Sequence, residues 1–296
     1  MTSPLHGRTV LVTGAARGIG EHVARLAAAR GARLSLVGLE PQRLASLAEQ
    51  LSTAGPGHGP HLWFECDVTD QHALDAAARS TVEATGRIDA VVANAGIANI
   101  GTVAVSDPDA LVRTIDVNLN GVVRTVAATL PYVRTSRGYF LLVSSAAAFT
   151  ALPGMAAYCA AKAGVEQFGN VLRQETAHLG VRVGTAHPSW VDTDLVRDIR
   201  QDLSALDTSL RKLPWPLGGT VSVGECAQAI VQGLEQRRRR IYIPRAIGAV
   251  QAARTLVLSP LADAIIRPFT RGIIPALEAE ARALGRSFGV HSTGKG

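Results

Sequence analysis

Short runs of aliphatic and β-branched residues alternate with helix-length segments along most of the chain, and this alternation constrains the fold more than any other feature. The runs that predict strands cover residues 8–14, 32–38, 61–67, 87–94, 138–145 and 181–188. Such alternation is typical of an α/β fold in which a parallel sheet carries helices on both faces. Aromatic residues make up only 4% of the chain and hydrophobic residues 47%, so Ala, Val, Leu and Ile must fill the core, as in buried parallel sheets. With no internal repeat and no linker-like tract, the chain is predicted to form one domain.

Charge and cysteine content exclude several classes of function. The net charge of +6 is scattered apart from the run Arg237–Arg240, whereas nucleic-acid binding needs a basic stripe with stacking aromatics. Cys66, Cys159 and Cys226 are odd in number and show no CxxC spacing, which favours free thiols over disulfides or a metal site. The chain shows no signal peptide and no run of about 18 uninterrupted apolar residues. We therefore expect a cytoplasmic protein with no nucleic-acid partner and no metal.

A glycine-rich turn follows the first predicted strand. The stretch VTGAARGIGEHVARL places Gly14, Gly18 and Gly20 between that strand and a predicted helix, with the spacing GxxxGxG. Glycines at such a turn let the backbone approach a phosphate, which then meets the positive end of the helix dipole. The position between strand and helix favours dinucleotide binding over ordinary turn glycines.

A tyrosine and a lysine stand four residues apart in a segment of small residues, SSAAAFTALPGMAAYCAAK. In a helix, Tyr158 and Lys162 share one face. A cation about 4 Å from the phenol, at an effective dielectric of about 20, would lower the phenol pKa by about three units. We therefore expect the pKa of Tyr158 to lie near neutrality, where acid–base catalysis is most effective. Ser145 ends its strand, at the edge where open α/β sheets bind ligands.

A set of sequence elements in one order resembles the short-chain dehydrogenase/reductase family. They are TGAARGIG, Asp67-Val68, the NAG at 94–96, Asn118 in DVNLNG, and the Ser145, Tyr158 and Lys162 set, and they span about residues 7–244. The resemblance implies a Rossmann-type fold, a nicotinamide dinucleotide, and hydride transfer between a secondary alcohol and a ketone. It also implies a homodimer or homotetramer, built on helices near 107–135 and 153–180.

The family's residue roles carry over to matching positions of this sequence. The resemblance assigns Tyr158 as general acid/base, Lys162 as its charged partner and a ribose contact, Ser145 as the donor to the reacting oxygen, and Asn118 as the holder of a water next to Lys162. Ser144 is the structural neighbour of Ser145. The cofactor-binding residues implied are Gly14, Arg17, Gly18, Ile19, Gly20, Gly38, Asp67, Val68, Asn94, Gly96, Tyr158, Lys162 and Thr193. In HPSWVDT, Ser189 replaces the family's glycine, which puts the backbone of that loop in question.

Cofactor preference depends on the end of the second predicted strand. A carboxylate there usually binds the ribose 2′-hydroxyl of NAD, but the position falls on Gly38. Arg17 could bind a 2′-phosphate, whereas Leu39 takes the place where NADP users often carry arginine. Glu40 could serve NAD if it folds back. We predict that both cofactors are accepted, NAD(P), with a slight preference for NADP.

Residues 1–244 are expected to form the dinucleotide-binding and catalytic part, and residues 245–296 an apolar helical extension of the same domain. A loop over 194–223 is expected to line the substrate pocket with Leu203, Leu206, Leu210, Leu213, Trp215 and Leu217. These residues suggest a small hydrophobic substrate: a steroid-, terpenoid-, polyketide- or fatty-type secondary alcohol or ketone. The extension could cover this pocket, bury a subunit contact, or touch a membrane surface. The alternative functions are a non-catalytic dinucleotide-binding protein and a membrane-surface protein.

Overall fold

The computed structural model describes residues 3–53, 60–99, 101–211, 215–216 and 218–289. Its strands are β1 Thr9–Thr13, β2 Arg33–Gly38, β3 Leu62–Glu65, β4 Ala90–Ala93, β5 Tyr139–Val143, β6 Arg182–Pro188, β7 Trp190–Val191, β8 Thr220–Val221 and β9 Arg240–Ile243. Seven of them form one parallel sheet in the order β3-β2-β1-β4-β5-β6-β9. The order reverses between β1 and β4, which is the switch point where such sheets bind ligands.

The helices among the described residues are α1 Gly18–Ala29, α2 Pro41–Thr53, α3 Gln71–Thr85, α4 Pro108–Ile115, α5 Gly121–Val133, α6 Ala156–Glu175, α7 Asp194–Asp202, α8 Ser204–Arg211, α9 Val223–Gln236, α10 Ile247–Ala252, α11 Arg254–Val257 and α12 Pro260–Leu284. Local sequence sets several ends. Asp70 accepts from the backbone N–H of Ala73 at the start of α3, and Ser222 with Glu225 forms a capping box at α9.

The central strands β1, β4 and β5 are buried on both faces. Along β1, Val10 and Val12 point to the side covered by α1, α2 and α9, and Leu11 points to the side covered by α3, α5 and α6. Alternate residues of a strand face opposite ways, so a strand covered on both faces is buried at every residue and must be mostly apolar. The predicted doubly wound Rossmann-type α/β fold is confirmed.

The second half of the chain differs from the sequence expectation at two points. The main sheet has a further strand, β9, that starts at the last arginine of the run, and β7 and β8 form a separate two-stranded ribbon; neither feature was predicted. The first part of the expected loop over 194–223 is helical, because α7 and α8 occupy most of residues 194–211. In α7 the side chains of Asp198 and Ile199 are buried, so this segment is an amphipathic helix.

The C-terminal extension packs on this helical segment. Leu277 of α12 is 1% exposed and lies in one cluster with Ile199 and Leu203. Arg286, beyond α12, forms an ion pair of 2.5 Å with Asp202 of α7. No helix among the described residues is long and apolar enough to span a membrane.

Candidate active site

A cavity of ≈ 520 Å³ lies at the carboxyl ends of β1, β2, β4 and β5. Every residue that the sequence predicted for catalysis or cofactor binding lines it, with the exception of Gly20. The cavity also receives residues that were not predicted to bind the cofactor, among them Arg113 of α4 and Phe288 from the end of the extension.

The glycine turn combines two different requirements. Gly14 and Gly18 have φ of +64° and +57°, a conformation that favours glycine. A Cβ at Gly20 would lie 2.1 Å from the carbonyl oxygen of Gly14. Gly20 therefore does not line the cavity but lets α1 start close against the end of β1, with the helix N-terminus beside the cavity.

The turn after β4 is tied to the glycine turn. The side-chain amide of Asn94 donates to the carbonyl of Thr13 (3.0 Å) and of Gly14 (3.3 Å). At Gly96 a Cβ would lie 2.6 Å from Oδ1 of Asn118. The bare backbone at Gly96 therefore keeps the cavity open next to Asn118, as a bound dinucleotide requires, and the residues present fit that group.

Two carboxylates, Glu40 and Asp67, form ion pairs with arginines at the end of the cavity near β2 and β3. Glu40 accepts from Nε of Arg17 at 2.8 Å and from its Nη2, and it also pairs with Arg43 at 3.2 Å. The hydrogen bond with Glu40 raises the pKa of Arg17. Asp67 pairs with Arg113 at 2.6 Å. Arg17 is therefore already neutralised by a carboxylate, which sequence reasoning did not foresee.

The predicted catalytic side chains meet at the junction of β5 and α6. Ser145 accepts from the backbone N–H of Ala147 (3.1 Å) and donates to the carbonyl of Pro188 (3.3 Å). Lys162 is 3% exposed, and its Nζ donates to the carbonyl of Val143 at 3.0 Å. The same Nζ lies 5.6 Å from the ring centroid of Tyr158.

The pKa of Tyr158 differs from the sequence expectation. Burial raises it to about 12, although a hydrogen bond with Ser145 acts in the opposite direction. Burial also lowers the pKa of Lys162 to about 8. The expected lowering of the phenol pKa by Lys162 is thus wrong for the protein alone, because loss of hydration dominates and the ammonium lies over the ring rather than beside the oxygen.

Asn118 occupies an irregular turn of helix. Residues Asp116–Asn120 form one π-helical turn between α4 and α5. The Asn118 amide donates to the carbonyls of Ile97 (2.7 Å) and Thr114 (2.8 Å). Its Oδ1 is buried without a hydrogen-bond partner among the described residues. Such turns often occur at functional sites, and Oδ1 is an acceptor directed toward the cavity beside Lys162.

A second, smaller cavity of ≈ 160 Å³ adjoins the first, and Ser145, Tyr158, Ser189, Leu195 and Val196 line both. The rest of its wall is Ala98, Ala146, Ala147, Thr150, Ala151, Leu152, Met155, Trp190, Ile199, Val257 and Ile266. Val257 and Ile266 belong to the extension, which therefore covers this cavity.

Of the leucines and the tryptophan expected to line the substrate pocket, the structure describes the side chains of Leu203 and Trp215, and neither lines this wall. Leu203 is buried in the cluster with Leu277, and Trp215 is 71% exposed. The side chains of Leu206 and Leu210 and all of Leu213 and Leu217 lie outside the described residues. In this part of the chain the apolar wall is formed by Leu195, Val196 and Ile199 of α7, because α7 begins at the cavity.

The loop that carries Ser189 has ordinary backbone geometry. Among the described non-glycine residues only Arg137 and Arg237 have positive φ, so serine replaces glycine there without strain. Thr193 precedes α7 and lines the larger cavity.

A buried ion cluster lies behind Ser145 and was missed by sequence reasoning. Nε2 of His187 lies 2.8 Å from Glu166, and Glu166 pairs with Arg240 at 2.8 Å. Nδ1 of His187 lies 3.5 Å from the backbone carbonyl of Ser145. The sequence does contain one indication of this cluster, because Glu166 follows Tyr158 and Lys162 at spacings of four on one face of α6.

Among the described residues, no group of three or more His, Cys, Asp or Glu is placed to hold a metal ion.

Residues 8–204 match the family model described as short chain dehydrogenase. Trans-4-hydroxycyclohexanecarboxylate dehydrogenase of Sinomonas cyclohexanicum is 30% identical over 227 residues, 76% of this chain and 84% of that protein. D-threitol dehydrogenase of Mycolicibacterium smegmatis is 37% identical over 195 residues, 64% of this chain and 73% of that protein. Glycine betaine reductase ATRR of Emericella nidulans is 33% identical over 235 residues, 79% of this chain, but the match spans only 18% of ATRR.

Two solved structures are similar to this chain. Levodione reductase superposes with a TM-score of 0.75 at 24% identity, covering 83% of this chain and 99% of that one. A short chain dehydrogenase from Mycobacterium paratuberculosis bound to NAD gives a TM-score of 0.71 at 25% identity, covering 81% and 97%.

With its parallel sheet, glycine turn and two adjoining cavities, the chain belongs to the short chain dehydrogenase family. It is an oxidoreductase that acts on alcohols or ketones with NAD(P), like the dehydrogenases and reductases to which it is similar.

Proposed function

We propose that this chain interconverts an uncharged, apolar secondary alcohol and its ketone, with Tyr158 as general acid/base. One observation carries the proposal: Ser145 and Tyr158 stand in the wall shared by the two cavities. A dinucleotide in the larger cavity and a substrate in the smaller one would therefore meet at these two side chains.

A bound nicotinamide ring supplies or accepts the hydride. During reduction, the Tyr158 hydroxyl gives its proton to the carbonyl oxygen, and during oxidation the phenolate takes the proton of the alcohol. The Ser145 hydroxyl donates a hydrogen bond to the same oxygen, where negative charge develops. Because burial keeps the pKa of Tyr158 at about 12, the phenol is protonated at neutral pH, which favours its role as the acid of ketone reduction.

The smaller cavity indicates the substrate class. No described residue of its wall is charged, and its polar groups are the hydroxyls of Thr150, Ser145, Ser189 and Tyr158 and the indole N–H of Trp190. A carboxylate substrate would lack a cation there, and a polyol would lack enough partners for its hydroxyls. A volume of ≈ 160 Å³ suits a single ring or a short branched chain. A steroid would need the extension to move, so we propose a ring-sized apolar ketone or alcohol.

For the cofactor we propose that NAD is preferred and NADP is tolerated, and that the Glu40 carboxylate binds the ribose 2′-hydroxyl of NAD. The expected preference for NADP depended on a free Arg17, but Glu40 engages that arginine with two hydrogen bonds. A 2′-phosphate would have to displace Glu40 and then lie near its carboxylate. Exchange of Glu40 for Gln should shift the ratio of kcat/KM values toward NADP by at least tenfold. An unchanged ratio would contradict the role of Glu40.

We also propose a homo-oligomer built on α4, α5 and α6. Val112, Val123 and Val171 are exposed apolar residues on these helices, which are the helices expected from the resemblance. Sedimentation equilibrium of the purified protein tests this proposal.

The decisive experiment replaces the phenol alone. Tyr158→Phe should abolish turnover of ring-sized ketones while cofactor affinity, measured by fluorescence titration, changes little. Tyr132→Phe is the matched control, because Tyr132 lies on α5 away from both cavities. If Tyr158→Phe keeps more than a few per cent of the rate, Tyr158 is not the acid/base.

A further inference from the structure

The C-terminal extension exposes large apolar side chains in one short segment. Leu256, Leu258, Leu261, Ile265 and Ile266, named here the outer face, are between 40% and 64% exposed. Twelve large apolar residues of the described chain are exposed, and these five fall within eleven consecutive positions. Scattered exposed apolar residues are ordinary, whereas a continuous group indicates an interaction surface.

Helix α12 is apolar on two sides. Its inner side is fixed by Leu277, which is 1% exposed. On the outer side Leu261, Ile265, Pro268 and Gly272 follow at spacings of four, three and four residues, so they form one stripe without a charge. Packing on the protein explains only the inner side.

Positive charge borders the outer face. Arg245, Arg254, Arg267 and Arg271 are exposed and have no ion-pair partner among the described residues, and the exposed acid between residues 245 and 274 is Asp263. Arg267 and Arg271 are four apart and lie beside the apolar stripe. A two-fold contact between two copies would bring these like charges to the same rim, so charge favours an anionic partner over a second copy.

The outer face is continuous with the smaller cavity. Ile266 is 40% exposed and also lines that cavity, together with Val257 from the preceding helix. The cover of the substrate cavity and the exposed apolar surface are therefore parts of one element.

We propose that the outer face docks on an anionic lipid bilayer, with the arginines at the headgroups and the aliphatic side chains at the acyl boundary. This combination of an apolar stripe and flanking arginines is what interfacial helices use. The opening of the smaller cavity then faces the lipid, from which an apolar substrate can enter. This last point rests on the proposed function, but the docking itself does not.

Vesicle co-sedimentation tests the docking without substrate or turnover. The full chain should bind vesicles of phosphatidylcholine with about a third phosphatidylglycerol, bind phosphatidylcholine alone weakly, and be released by high salt. The double variant L261D/I265D should lower binding to the anionic vesicles at least tenfold. Val103→Asp is the matched control, because Val103 is equally exposed but lies outside the outer face and outside the helices of the proposed oligomer; it should bind like the unchanged protein.

A second pair of variants tests the charge without changing an apolar residue. R267Q/R271Q should weaken binding by about 25-fold, since each basic residue near the surface contributes about fivefold. R79Q/R134Q is the control, because both arginines are exposed and lie on other parts of the chain.

The proposal is overturned if the unchanged protein does not bind anionic vesicles, or if both double variants bind as it does. It is also overturned if the unchanged protein is an oligomer that binds no vesicles and L261D/I265D dissociates this oligomer. In that case the outer face contacts a second copy of the chain. The two proposals can fail separately. If Tyr158→Phe remains active while the unchanged protein binds anionic vesicles, the catalytic role of Tyr158 is wrong and the docking proposal still stands.

Discussion

Replacing Lys162 with methionine should stabilise the ligand-free protein at neutral pH while abolishing its activity. Lys162 is 3% exposed, and burial lowers its pKa from 10.5 to about 8. The folded state therefore binds this proton less tightly than the unfolded state does. Below pH 8 the charged lysine opposes folding by about 3 kcal/mol, and this cost disappears as the pH rises from 8 through 10.5.

Methionine removes the charge but leaves the carbonyl of Val143 without its donor, at a cost of about 1–3 kcal/mol. The net gain at pH 7 is thus about 0–2 kcal/mol. The difference between variant and unchanged protein should fall by about 2.5 kcal/mol between pH 7 and pH 10, and this change does not depend on the lost hydrogen bond.

Urea unfolding at several pH values measures the difference, with Arg79→Met as an exposed control that should show no such change. The chain contains three lysines, Lys162, Lys212 and Lys295, so lysine ¹³C NMR can follow each titration directly. A Lys162 that titrates above pH 10, or a stability difference that moves by less than about 1 kcal/mol, would refute the reasoning.

Three further predictions concern stability. Glu166→Gln should cost about 3 kcal/mol at pH 7: burial alone would raise the pKa of Glu166, but His187 and Arg240 bring it to about 2. The stabilisation by Glu166 is present above pH 4.5 and is lost as the pH falls through 2. Glu21→Gln is the control, because Glu21 pairs with Arg25 at the surface; it should cost at most about 0.5 kcal/mol in the same urea titrations. Gly20→Ala should lower unfolding free energy by more than about 2 kcal/mol and weaken NAD(P) binding in fluorescence titrations, whereas Gly224→Ala, with open space around it, should not destabilise. Leu277→Ala should cost about 2–5 kcal/mol in thermal and urea unfolding, and a smaller loss would mean that the extension is loosely docked.

The sequence predicted the sheet well because the central strands are mostly apolar and are bounded by clear turns. It did not predict β9, since RIYI has only four residues and begins with the last arginine of a basic run. The contacts that define the smaller cavity are long-range, between α7, Val257 and Ile266, and no local pattern encodes them. The cluster of Glu166, His187 and Arg240 also joins distant segments. The spacing on α6 indicates that Glu166 shares a face with Tyr158 and Lys162, but not that it meets His187 and Arg240.

The prediction for the pKa of Tyr158 was wrong for a different reason. Sequence spacing gives the distance between two side chains along a helix but not their hydration. The electrostatic attraction was anticipated, whereas the larger effect of burial depends on the walls of both cavities and could be seen only in the folded chain.

Phe288 and Ile266 give the extension an unusual position, since the first lines the cofactor cavity and the second lines the substrate cavity. One packed element, held by Leu277 and by the ion pair of Arg286 with Asp202, thus forms part of both walls. A ligand that tightens this element in one cavity alters the affinity of the other, and such coupling is reciprocal by thermodynamic necessity. Cofactor and substrate should therefore bind with a cooperativity that disappears when the Arg286–Asp202 pair is removed.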